Sequence, residues 1–126
     1  MRAIDTNVLV RLITRDHAKQ TEAAEKFVQK GAWVSLLALT ECIWVLGSAY
    51  NLPDVSLAKA IEMLLAHEHL AIQDADVVKA ALALYQTKPS LGFSDCLMLH
   101  IAKKAGHKPF GTFDKDLSKC DDAQKI

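Results

Sequence analysis

The chain has 126 residues, 51% of them hydrophobic, with only five glycines and three prolines. That composition excludes a disordered or low-complexity protein and predicts one folded domain spanning residues 1–126, long enough to bury about two thirds of its unfolded surface. Fifteen basic residues balance fifteen acidic ones, so no global positive field announces a nucleic-acid partner, although an enzyme that grips a few phosphates locally stays compatible.

The chain opens on Met1–Arg11, MRAIDTNVLVR. Ala3 and Ile4 read as a short buried strand, and Asp5-Thr6-Asn7 are residues that start helices. Val8, Leu9, Leu12 and Ile13 then give an apolar stripe of helical period. A strand opening onto a helix is the first half of an α/β unit, and side chains just past its carboxyl end line the ligand crevice of such sheets. Asp5 sits there, where it also fits as a plain N-cap.

Lys19–Lys30 reads as an amphipathic surface helix with apolar points at Ala23, Ala24, Phe27 and Val28, ended by Gly31. Trp33–Leu36 is a second strand, and Leu39–Tyr50 a helix carrying Ile43, Trp44 and Leu46. The stretch Gly31–Pro53 is apolar enough to resemble a membrane span, but Glu41 near its middle argues for buried core. After a turn at Asn51–Asp54, Leu57, Ile61, Leu64 and Leu65 mark another helix. Leu70–Ile72 is a third strand, and Asp74 is placed to cap a helix running to about Gln86.

Residues Lys88–Gly92 break that helix. Ser94 is placed to cap the next one, with Leu97, Met98 and Ile101 on its apolar face and Gly106 in the C′ position. Lys108–Phe113 is a fourth strand, Asp114–Leu117 a turn or short helix, and the rest a polar tail. Strands alternating with helices predict an α/β fold, a three-layer α/β/α sandwich with a small parallel sheet covered on both faces.

Two acids are isolated. Glu41 is the only charged residue between Lys30 and Asp54, and Asp95 the only one between Lys88 and Lys103, counting His100 as neutral. Both read as lying near the start of an apolar helix, where a lone carboxylate is costly unless paired, hydrogen-bonded or on a metal. The alternative is that each merely complements its helix dipole. Asp114 follows a strand as Asp5 does, and Asp116 is either its partner or a solvated turn acid. Converging acids need a divalent cation, and all-oxygen ligands point to Mg²⁺ or Mn²⁺ rather than Zn²⁺.

Cys42, Cys96 and Cys120 lack CxxC spacing, and no secretory leader is evident, which predicts a reducing cytoplasm. Cys42 and Cys96 read as small core hydrophobes. His67-Glu68-His69 is not HExxH, and His100 is expected to be a packed or edge residue.

RAIDTNVLVRL at the start, Thr40-Glu41 in an apolar helix, Phe93-Ser94-Asp95 opening a late helix and Gly111–Leu117 near the end resemble the PIN-domain family. More narrowly they resemble the VapC-type ribonuclease toxins of toxin–antitoxin pairs. The resemblance covers nearly the whole chain, with the motifs in order. It implies a metal-dependent endoribonuclease in which Asp5, Glu41, Asp95 and Asp114 hold Mg²⁺ or Mn²⁺. In that scheme the Thr6 hydroxyl orients a ligand or water, while Asn7 and Thr112 support the site by hydrogen bonds, with Asp116 as a further supporting acid. Arg11, Arg15 and Lys115 are candidate phosphate contacts. Implied partners are an RNA substrate, a cognate antitoxin and a second copy of the chain, with Leu52, Val55 and Leu57 available to a homodimer. No membrane association is expected. Two other readings compete: a non-catalytic RNA-binding or assembly module on the same fold, and an aspartyl phosphoryl-transfer domain. The second is disfavoured because Asp5 is followed by Thr6 and Asn7 rather than by another acid.

Overall fold

Three short strands in parallel register organise the first part of the chain. In the computed structural model, which describes residues Met1–Ile126, β1 (Arg2–Ile4), β2 (Ala32–Val34) and β3 (Leu70–Ile72) form a sheet in that order, with Ile4 level with Val34 and Val34 with Ile72. The helices are α1 (Thr6–Thr14), α2 (Ala18–Val28), α3 (Leu36–Ser48), α4 (Asp54–Ala66), α5 (Ala75–Thr87) and α6 (Phe93–Lys104). A second, two-stranded parallel sheet pairs β4 (Phe110–Thr112) with β5 (Ala123–Lys125). The predicted α/β class with a small parallel sheet is what the chain adopts. The chain divides into two compact units, Met1–Ala75 and Asp76–Ile126. No helix is long and apolar enough to cross a membrane.

In the first unit, the level register puts Asp5, Ser35 and Gln73 side by side in sequence terms, each the residue after its strand. All three serve a neighbouring backbone amide. Asp5 caps α1 by accepting from the Val8 amide at 3.2 Å, and Ser35 caps α3 through the Ala38 amide at 3.0 Å. The Gln73 side chain accepts from the Leu36 amide at 2.9 Å. Ser35 explains why α3 begins three residues before the expected Leu39: its cap satisfies a free amide at the turn, so β2 ends early and the helix starts at once. Buried side chains here include Leu9, Val10, Val28, Leu39, Leu46 and Ile61, each contributing about 1.5–3 kcal/mol by leaving water. Trp44 is an exception to the expected apolar face, at 71% exposed. Ala23 on α2 is likewise exposed, and Leu57 is core.

In the second unit, α6 ends as predicted. Gly106 takes φ +83, and the amides of Gly106 and His107 bond to the carbonyls of Lys103 and Ala102 in the Schellman pattern. Its start differs from the expectation. Gly92, at φ +78, occupies the N-cap position with no side-chain bond, and Ser94 lies inside the first turn. Tyr85 and Phe93, both buried, approach with ring centroids 6.0 Å apart. The tail is not irregular. The Phe110 amide donates to the Asp122 carbonyl at 2.7 Å and the Ile126 amide to the Thr112 carbonyl at 3.0 Å. A three-residue strand carries too little alternation to announce itself in sequence.

Candidate metal centre

The first unit supplies Asp5 and Glu41. Asp5 is held at the carboxyl end of β1 by its own capping bond, made through Oδ1. Glu41 lies in the second turn of α3, because that helix starts at Leu36. It is exposed rather than embedded, which corrects both the expected burial and the expected helix-start position. A dipole contribution fades beyond the first turn, so capping does not account for Glu41. What holds it is Thr6, whose hydroxyl donates to Glu41 Oε2 at 2.8 Å. Thr6 directly follows Asp5, so this bond ties the acid of α3 to the residue next to Asp5.

A cleft of about 370 Å³ adjoins these residues, walled by Asp5, Asn7, Arg11, Gln20 and Phe27. Asn7 is exposed. The Arg11 guanidinium is already engaged, with Gln20 at 2.6 Å, Asp16 at 3.2 Å and the Tyr50 hydroxyl at 3.3 Å. Asp16 also accepts from Tyr50 and Thr14, each at 2.7 Å, and these bonds, Tyr50's foremost, hold its carboxyl below the usual range. Arg15 is exposed and paired with Glu25. Gln20, Asp16 and Tyr50 were invisible as partners of Arg11, since no local periodicity links residues 9 or 39 apart.

The second unit supplies Asp95 and Asp114. Asp95 stands in the first turn of α6 and is half-buried. Burial raises its pKa, and the negative charge of Asp114 raises it further, so these two acids feel each other. Asp114 is set by a small hydrogen-bonded turn: its amide donates to Thr112 Oγ1 at 3.0 Å, and its Oδ1 accepts from the Asp116 amide at 2.9 Å. Asp116 is exposed and lies 4.0 Å from Lys119. Lys115 is exposed, and its carbonyl accepts from Ser118.

The four acids share one property. None of Asp5, Glu41, Asp95 and Asp114 makes an ion pair, whereas Asp16, Glu22, Glu25, Asp76, Asp116 and Asp122 all sit against a lysine or arginine. Asp5, Glu41 and Asp114 accept hydrogen bonds from neutral donors only, and all four acids offer only oxygen ligands, a donor set that suits a hard divalent cation. No three His, Cys, Asp or Glu side chains are gathered tightly enough to form a ready-made metal cluster; each unit contributes two of the four acids.

Residues 3–123 match the family described as PIN domain. The chain belongs to the PIN domain family. PIN domains are generally metal-dependent nucleases, and a set of acids without cationic partners is consistent with that chemistry. No curated protein matches the chain. Cys42 and Cys96 take no part in this PIN domain's candidate site. Both are buried, and burial pushes their thiols up to about 12 and about 11, so they are protonated core side chains. His100 is half-buried, and burial together with Lys103 lowers its pKa.

Proposed function

We propose that this PIN domain is a Mg²⁺- or Mn²⁺-dependent endoribonuclease, the toxin of a toxin–antitoxin pair acting in the cytoplasm, with Asp5, Glu41, Asp95 and Asp114 as metal ligands. The observation that carries the reading is the unpaired state of these four acids in a chain whose other acids are largely paired. A bound divalent cation supplies charge neutralisation at the phosphate and acidifies a water at neutral pH. The chain's own residues do the positioning. Thr6 orients Glu41, Thr112 fixes the backbone that carries Asp114, and the Asp5 cap holds its carboxylate against rotation. Asn7 and Arg11 line the cleft beside Asp5, with Arg15, Lys115 and Asp116 as outlying candidates for strand or ligand contact.

The family match runs across both units, which supports reading residues 1–126 as one domain. A homodimer is part of the proposal. Leu37, Trp44, Val55 and Met63 on α3 and α4 are 58–71% exposed, and exposed large apolar side chains are the kind a subunit interface covers. The antitoxin would cover the acids, offering a cation in place of the metal.

The test is incubation of pure protein with structured and unstructured RNAs in Mg²⁺ or Mn²⁺ and then EDTA, beside Asp5→Asn. Metal-dependent cutting lost in the variant supports the enzyme. RNA binding without cutting in either metal favours the non-catalytic module.

A further inference from the structure

A second cleft, of about 340 Å³, lies wholly within residues 76–126. It is lined by Leu84, half-buried, and by Leu99, almost wholly buried, and its rim carries Lys88, His100, Lys103 and Lys119. The lysines come from three separate places: the residue after α5, the last turn of α6, and the turn Leu117–Lys119. Their acids do not neutralise them. Lys88 makes no ion pair. Lys103 lies 3.4 Å from Asp122, but Lys108 shares that carboxylate at 3.8 Å. Lys119 meets Asp116 only at 4.0 Å, with both side chains 62% exposed, a pair worth little in water. Asp121, also on the rim, is the one acid facing the cleft without a cation.

The even charge of the whole chain conceals this. Residues 76–126 hold eight lysines and six aspartates, and two of those aspartates are the proposed metal ligands Asp95 and Asp114.

The cleft is also aligned with one of those ligands. Asp95, Leu99 and Lys103 are spaced i, i+4, i+8 on α6, so they share a helix face, and Lys103 lies about 12 Å along the axis from Asp95. We infer that this cleft is a phosphate subsite for the nucleic-acid strand, in which Lys88, Lys103 and Lys119 hold a backbone phosphate near the scissile one and the half-buried Leu84 meets the apolar part of the nucleotide. Lysine serves as a point charge for a phosphate on a mobile strand. His100, half-buried on the same rim, offers a ring N–H. The inference rests on the nuclease reading for the identity of the strand.

The experiment measures binding of a fluorescein-labelled unstructured RNA by anisotropy in EDTA, at several salt concentrations, for the wild type, Lys88→Gln, Lys119→Gln and the double variant. Lys79→Gln, on the exposed face of α5, is the control. The expected result is about a tenfold weaker Kd for the double variant and a salt slope smaller by about 0.7 per lysine removed, with the control unchanged. An unchanged Kd and slope in the double variant, in a protein that cuts RNA, overturns the subsite alone. Lysine-dependent binding in a protein that never cuts leaves the subsite standing and removes the nuclease. Competition with inorganic pyrophosphate separates the sources of phosphate: lysine-dependent pyrophosphate binding beside lysine-independent RNA binding makes this a small-anion cleft and overturns the strand assignment.

Discussion

The Thr6 hydroxyl donates to the Glu41 carboxylate at 2.8 Å across 35 residues of sequence. Neither residue is deeply buried, so the bond adds little to stability, about 0.5–1.5 kcal/mol at most. Its consequence is orientation: an exposed glutamate is tied to Thr6, next to the aspartate that follows β1.

Thr6→Val therefore lowers metal-dependent cleavage by about 10–100-fold, the usual effect of removing a residue that positions a ligand, while the unfolding midpoint barely moves. Thr6→Ser restores the donor and most of the activity. The measurement is kcat against Mn²⁺ concentration, where the valine variant needs more metal. Equal metal dependence in both variants would make Thr6 a helix residue only.

Asp95→Asn abolishes cleavage but leaves metal-free stability unchanged or higher by up to about 1 kcal/mol, after allowance for solvent screening. The sign follows from the raised pKa. The folded protein binds this proton more tightly than the unfolded chain, so ionisation costs stability as pH rises from the ordinary 3.8 through the raised value, and the cost persists at neutral pH. Urea unfolding in EDTA near neutral pH and again in mild acid reads it, and the advantage of the variant shrinks in acid. A clear loss of stability at neutral pH would mean that Asp95 serves chiefly the α6 dipole.

Mn²⁺ raises the melting temperature of the wild type and raises it less in Asp5→Asn or Asp95→Asn. A ligand at one hundred times its Kd stabilises by about 2.7 kcal/mol. Equal shifts in wild type and variants place the bound metal elsewhere.

Asp16 gives the opposite pH signature. Its carboxyl is held below the ordinary 3.8, chiefly by the Tyr50 hydroxyl, so its contribution is present above that pH and is lost as pH falls through the lowered value. Tyr50→Phe lowers the melting temperature at neutral pH, and the difference from wild type closes in acid. A difference independent of pH would trace the effect to packing of the ring instead.

Of the three thiols, only Cys120 reacts rapidly with Ellman's reagent in the folded protein, since Cys42 and Cys96 are buried and their thiolates suppressed. All three react after unfolding. Three fast thiols in the native protein would contradict the packing of α3 and α6.

The order and type of every α-helix and strand except β5 were legible in the sequence because their signals act over a few residues. The apolar period of α4, the span Leu70–Ile72 and the glycine at the end of α6 are local facts of dihedral preference and hydrogen bonding. The positions of Asp5, Asp95 and Asp114 at element ends were legible for the same reason. What only tertiary structure decided is whatever joins distant residues: Thr6 to Glu41, Arg11 to Tyr50, and the pairing of β4 with a strand in a polar tail. It also set which side of α3 faces water, leaving Trp44 and Glu41 outside. An apolar helix with hydrophobic residues on every side does not state its inner face. Burial is settled by what packs against it, and that information is spread over the rest of the chain.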